Sequence, residues 1–263
     1  MSLLSGIIRG LQAFAAINRK VCSRVGAFLP QAKVDIFSEY TETVASLLHG
    51  RPYKAIVIDV GGGKECPFAR IPNGAGNENS AIIAADVCEE ELRHNHDVDG
   101  KVVADIVRGL PFRTHAADLI TSRSVLEHIE DVGRFVGQAT EVLKLDGYWI
   151  HLFPSKFAPF ALINQLLPKS ISKALVYFCL PGFKGICGFP AAYDKCYYSA
   201  MRKLLVKNGF ELVEVKTNYY QSPYFDFCFP LFAVSAAYEV LVRLLGLKNL
   251  AAYVLVVARR TRA

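Results

Sequence analysis

The chain has 263 residues, 52% of them hydrophobic and 21% charged, with a net charge of +6. That length buries a substantial core without disulfide or metal staples, and the composition excludes a disordered, collagen-like or coiled-coil chain. The charge is partitioned: residues 1–54 carry +4, residues 55–200 carry −3 and residues 201–263 carry +5.

At the N-terminus, MSLLSGIIRGLQAFAAINRK sets Leu4, Ile7, Ile8, Leu11, Phe14 and Ala15 at helical spacing, with Arg9, Arg19 and Lys20 as the charges. Such an amphipathic helix suits either packing on the domain or a membrane interface, and it is set apart here as residues 1–32. No basic stretch precedes an apolar one, so no signal peptide is expected. Helices are expected at Lys33–His49, Asp131–Lys144 and Tyr198–Asn208, the last two closed at Asp146-Gly147 and Asn208-Gly209. Strands are expected at Ala55–Val60, Ala81–Asp86, Val102–Asp105, Leu119–Ser122, Tyr148–Phe153, Phe210–Thr217 and Tyr253–Arg259. Apolar strands alternating with helical patterns argue for an α/β fold with a parallel sheet over residues 33–263.

Two stretches exceed a minimal sheet, at about 154–196 and 219–250. Between Tyr148 and Tyr238 fall 21 of the 30 aromatic residues. These aromatics suit either a second core or an apolar acceptor pocket. The longest uncharged runs are only 12 residues, whereas a spanning helix needs about 20. Seven cysteines without a CxxC pair fit reduced thiols in a cytoplasmic protein.

Chemistry is concentrated at strand ends. Ala55-Ile-Val-Ile-Asp-Val runs into Gly61-Gly62-Gly63, a turn that lets backbone approach a ligand with no Cβ in the way. A dinucleotide fingerprint would be GxGxxG, but its third position is Cys66, and no GxxxxGK[ST] is present. Carboxylates line the rim: Asp59 before the loop, Asp86 at the end of the second strand and Asp105 at the end of the third. A carboxylate at the second strand's end suits two ribose hydroxyls, and Asp105 suits an adenine amino group. Asp59 suits an ammonium. Ribose, adenine and positive charge together describe S-adenosylmethionine. Taken singly, each aspartate also reads as a helix cap or loop residue.

From Ile56 to Pro154 the chain resembles the class I S-adenosylmethionine-dependent methyltransferases, closest to the small-molecule and lipid group. The resemblance rests on IDVGGGKE (Ile58 to Glu65), AADV (Ala84 to Val87), DIVRGLPF (Asp105 to Phe112), ADLITSRSVLEHIED (Ala117 to Asp131) and EVLKLDGYWIHLFP (Glu141 to Pro154). It implies a seven-stranded, mostly parallel Rossmann-like sheet with an antiparallel hairpin edge, helices on both faces and aromatic-rich insertions. It also implies S-adenosyl-L-methionine across the C-terminal ends of the first strands. Asp59, Gly61 and Gly63 would line its methionine end, Asp86 would hold the ribose with Val87 beside the adenine, Asp105 and Ile106 would contact the base, and Ser122 would lie near the sulfonium. The family loop reads DxGxGxG, and here Glu65 replaces its third glycine. His128, in the LEHI turn, is the candidate at the acceptor mouth, with His151 and Asp194 as other possible bases. His94 and His96 are expected on an exposed polar turn rather than around a metal.

The expected function is methyl transfer to a small-molecule or lipid-like acceptor, with peripheral contact at the cytoplasmic face of a membrane. A non-catalytic adenosyl-nucleoside-binding protein is the alternative, with Glu65 marking a degraded loop. A nicotinamide oxidoreductase is disfavoured by Cys66 and the acidic rim. Nucleic acid is not an expected partner, because Lys and Arg do not cluster along a groove.

Overall fold

A computed structural model describes residues 3–49, 53–70, 80–168, 170–171 and 190–262. The central strand β1 (Ala55–Val60) is apolar apart from Asp59 and buried on both faces, as a parallel-sheet interior requires. It pairs in parallel with β2 (Ser80–Asp86) on one side and β4 (Ala117–Arg123) on the other. Then β3 (Gly100–Val103) extends the sheet beyond β2, and β5 (Leu143–Pro154) extends it beyond β4. Strand β7 (Tyr253–Arg260) lies antiparallel to β5, and β6 (Phe210–Asn218) closes the edge, giving the order β3-β2-β1-β4-β5-β7-β6. This is the expected seven-stranded, mostly parallel sheet. The strand order reverses between β1 and β4, so the crevice above their C-terminal ends is the natural ligand position.

The helices are α1 (Leu3–Gly26), α2 (Ile36–Leu48), α3 (Glu89–His94), α4 (Val132–Val142), α5 (Pro159–Leu166), α6 (Tyr198–Lys207) and α7 (Phe229–Leu244). Helix α2 buries Ile36, Tyr40, Val44 and Leu48 in a cluster with Val57, Ile82, Leu119, Ile150 and Leu255 of the sheet. Within this core the Tyr40 hydroxyl lies 2.7 Å from Thr121 Oγ1 on β4, which satisfies two polar groups that burial would otherwise strand.

Several expected boundaries move, two of them with a physical reason in the structure. The third strand spans Gly100–Val103 rather than Val102–Asp105. Asp99 pins its start through both a backbone and a side-chain bond with Ile82, and Ala104 N–H donates to the Asp86 carbonyl just beyond the end. Asp105 therefore lies past the strand. The step Asp146-Gly147 does not close a helix either: α4 stops at Val142, and Asp146, at φ +61°, falls inside β5 where the register with β4 shifts. A Cβ on Gly147 would lie 2.8 Å from the Lys144 carbonyl oxygen, which makes glycine mandatory at this irregularity. By contrast, α6 ends at Asn208-Gly209 as expected, with Gly209 at φ +81°.

The chain divides into two compact units. One comprises Ile36–Lys156, Phe189–Thr217 and Tyr253–Ala263 and contains the sheet apart from its last residue, Asn218. The other comprises Met1–Asp35, Phe157–Gly188 and Asn218–Ala252. Inside this second unit the buried face of α1, Ala15, Cys22 and Gly26, runs at helical spacing, and Gly26 faces Tyr220 and Phe232 closely enough that a Cβ would lie 3.3 Å from the Tyr220 hydroxyl. Asn18 Oδ1 accepts from Phe229 N–H, and Arg19 pairs with Asp226 at 3.2 Å. Glu239 on α7 is fully buried and accepts from the backbone of Gln221 and Ser222. Of the first stretch set apart in the sequence, about 154–196, residues 172–189 lie outside the described residues, as do the side chains of Leu4, Ile7 and Ile8. Among the described residues Cys22, Cys66 and Cys196 are buried, and Cys88 and Cys228 are partly buried.

Candidate active site

All the residues expected to hold the cofactor belong to the sheet unit. The loop after β1 turns on Gly61 (φ +69°) and Gly63 (φ +41°), both left-handed, where a side chain is strained. At Gly61 a Cβ would also run into Val125 Cγ2, and at Gly62 it would lie 2.7 Å from the Ala84 Cβ on β2. Gly62 is thus the close-packing position, a role the sequence reading did not separate from its neighbours.

Asp86 fastens the loop. Its Oδ2 accepts from Gly63 N–H at 3.0 Å and its Oδ1 from Cys88 N–H at 2.8 Å. A carboxylate oxygen can accept two hydrogen bonds, so each oxygen keeps capacity for a ribose hydroxyl. Val87 follows as an exposed apolar side chain. Asp105 is exposed, and its Oδ1 accepts from Val107 N–H while Oδ2 lies 3.2 Å from Arg108. Ile106 beside it is partly buried.

Asp59, near the end of β1, is 5% exposed. Burial pushes its carboxyl up to about 7, against the pull of Arg123 and of a hydrogen bond with Cys66, while the nearby Asp86 pushes the same way as burial. Glu65, at the expected third-glycine position, forms an ion pair with Arg70 at 3.0 Å. Arg70 in turn reaches Asp97 at 2.8 Å, and Asp97 accepts from Cys66 N–H. This chain of charges braces the end of the loop where the family pattern has a glycine.

The sequence reading missed Asn95. It is fully buried between the exposed His94 and His96, and its Nδ2 donates to the carbonyls of Gly62 (2.9 Å) and Gly63 (3.2 Å). His94 Nδ1 lies 2.8 Å from the Glu90 carbonyl, and no metal-binding group of His, Cys, Asp or Glu occurs among the described residues. Asn95→Asp should loosen the loop, because it removes the donor and sets a carboxylate against two carbonyls. We expect a loss of about 2–3 kcal/mol of stability by thermal unfolding, and a cofactor-product affinity at least about tenfold weaker by calorimetry.

At the end of β4, Ser122 Oγ lies 2.5 Å from His151 Nδ1. Burial holds His151 well below the usual imidazole range; its ring is in contact with Trp149 at 3.9 Å between centroids and meets Phe135 edge-on. A fully buried, neutral His151 braces Ser122 and lies out of reach of an acceptor at the surface. Asp194 is likewise occupied: its Oδ2 accepts from Val132 N–H at the start of α4 and from Lys195. His128 is partly exposed, with Nδ1 3.2 Å from the Pro190 carbonyl and Nε2 3.9 Å from Glu127 Oε1. Burial pushes Glu127 up to about 8, and its Oε2 has no hydrogen-bond partner among the described residues.

Residues 58–151 match the family model described as Methyltransferase domain. Solved structures share the fold at low identity. The 4+2 cyclase SpnF is 16% identical with a TM-score of 0.52, covering 86% of this chain and 81% of its own. An S-adenosylmethionine-dependent methyltransferase from Mesorhizobium loti is 17% identical with a TM-score of 0.50, covering 84% and 98%. A geranyl diphosphate methyltransferase solved in complex with SAM is 10% identical with a TM-score of 0.51, covering 85% of each chain. A search of the curated proteins finds no match. The matched domain, the seven-stranded sheet and the glycine loop fastened by Asp86 point the same way: the chain contains a methyltransferase domain and is an S-adenosylmethionine-dependent methyltransferase with S-adenosyl-L-methionine as its cofactor.

Proposed function

We propose that the protein methylates a hydroxyl, amine or carbon of a small-molecule or lipid-like acceptor. The observation that carries this reading is where apolar surface lies. Of the 25 large apolar side chains exposed among the described residues, 18 belong to the unit outside the sheet. Apolar surface concentrated in this way marks contact with an apolar ligand, partner or membrane.

The cofactor supplies an electrophilic methyl group. The protein's own residues hold and align it: Asp86 takes the ribose, Gly61, Gly63 and Asp59 receive the methionine end, and Val87, Asp105 and Ile106 border the base. The backbone at Ser122, braced by His151, lies near the sulfonium. Alignment of this kind contributes roughly 7–11 kcal/mol to a displacement barrier. His128 is the residue proposed to take the acceptor's proton, with buried Glu127 beside it as a positioning residue. A peripheral position at the cytoplasmic face of a membrane is part of the same reading.

The test is transfer of labelled methyl from the cofactor into fractionated cell extract by the purified protein. Label in the lipid or small-molecule pool is the expected result. Label confined to RNA or protein would overturn the acceptor class.

A further inference from the structure

Helix α1 has three faces. Projected at about 100° per residue, Ala15, Cys22 and Gly26 form its buried side, while Leu11, Phe14, Ile17, Val21 and Val25 form an exposed apolar arc about 120° wide. Arg9, Lys20 and Arg24 occupy an exposed flank next to that arc, and the helix contains no acidic residue. Phe28, 85% exposed, continues the apolar side past the helix end. In the same unit, α7 exposes Leu231, Val234 and Leu241 along one side, and Leu245 continues that side just past the helix end.

Charge indicates what covers this surface. The unit containing α1 and α7 holds ten Lys and Arg against three Asp and Glu, a net +7, whereas the sheet unit holds 20 against 21. The whole positive excess of the chain therefore belongs to the unit that exposes the apolar side chains. Of its three acids, Glu239 is buried and Asp226 is paired with Arg19, which leaves Asp35 at the surface. A protein partner with a matching apolar face would have no need of so one-sided a field. An anionic bilayer answers both features, taking apolar side chains below its headgroups and cations among them. Among the described residues no helix is long and apolar enough to cross a membrane, so the contact is interfacial.

We propose that the α1 face, Leu11, Phe14, Ile17, Val21, Val25 and Phe28 flanked by Lys20 and Arg24, docks the enzyme on the surface of an anionic lipid bilayer. This deepens the proposed function, since it rests on a hydrophobic acceptor being met at a membrane. The full-length protein is floated with phosphatidylcholine vesicles, with and without about one third phosphatidylserine, at low and high salt. Binding is expected only to the anionic vesicles, and it should fall several-fold as salt rises. Phe14→Glu/Ile17→Glu and, separately, Lys20→Glu/Arg24→Glu should each weaken it at least about tenfold.

All these substituted side chains are exposed, so S-adenosylhomocysteine binding by calorimetry should be unchanged in both variants. Absence of vesicle binding, equal binding to neutral vesicles, or variants that bind like the parent would each overturn the docking proposal, as would a dimer sealed by this face. Loss of S-adenosylhomocysteine binding in the parent would instead count against the cofactor site, so the two failures are told apart.

Discussion

Asp86→Ala should weaken S-adenosylhomocysteine binding by about two to three orders of magnitude in titration calorimetry while the protein remains folded. The carboxylate does two jobs that a methyl group cannot do. It accepts from Gly63 N–H and Cys88 N–H, which fixes the loop after β1 against the turn after β2. In the proposed cofactor site its remaining lone pairs are left for the two ribose hydroxyls. Hydrogen bonds to a charged group are worth about 1.5–3 kcal/mol each, so losing the ribose pair alone accounts for most of the effect. Asp86→Asn separates the two functions: it keeps one acceptor oxygen, retains one of the backbone bonds and should fall between the parent and Asp86→Ala. An Asp86→Ala protein that binds like the parent would move the ribose elsewhere and remove the central element of the site.

The strength of this expectation follows from how β1, the loop and β2 were written into the chain. Ala55–Val60 is apolar apart from Asp59 near its end and runs straight into glycines, so period, length and turn chemistry agree. The structure places β1 at the expected residues. Asp105 was less legible because the strand before it is short and alternates between partly buried and exposed positions, so nothing in its composition marks the last paired residue. Asp146-Gly147 was ambiguous in kind: a bulge and a helix end call for the same two residues.

Asn95 shows the complementary blindness. Two flanking histidines dominate the local pattern, and an asparagine that clamps carbonyls 32 and 33 residues upstream in the chain has no local signature. Helix α7 escaped notice because apolar residues lie on most of its sides, which blurs helical period. Helix α1 was legible as amphipathic, but not in how its apolar side divides between a packed face, with Ala15, and a solvent face, with Leu11 and Phe14.

Asp59→Asn should raise the melting temperature of the cofactor-free protein at pH 8 by several degrees, leave it nearly unchanged at pH 4, and weaken cofactor binding. The carboxyl ordinarily titrates at 3.8 and is pushed up to about 7 in the fold, chiefly by burial. Between those values the folded protein holds a proton that the unfolded chain has released. Stability therefore falls as pH rises through this window, and the full cost is present above about 7. A displacement of this size is worth at most about 4 kcal/mol, and a neutral amide removes it at high pH only. At pH 4 the carboxyl is largely protonated in the fold, so asparagine changes little. The Cys66 thiol and Arg123, which face the carboxylate, remain in place in the variant.

Cofactor binding should respond in the opposite sense. A cationic ligand beside Asp59 draws its carboxyl down, so the parent should release a proton on binding near pH 6 to 7. Calorimetry in two buffers of different ionisation enthalpy detects that proton as a difference in apparent heat. The Asp59→Asn protein should show a smaller difference and a lower affinity for the cationic cofactor. A parent whose stability climbs from pH 4 to pH 8, with no gain at pH 8 from asparagine, would mean that Arg123 holds the carboxylate ionised throughout. The site would then meet its ligand with a fixed negative charge instead of a proton to exchange.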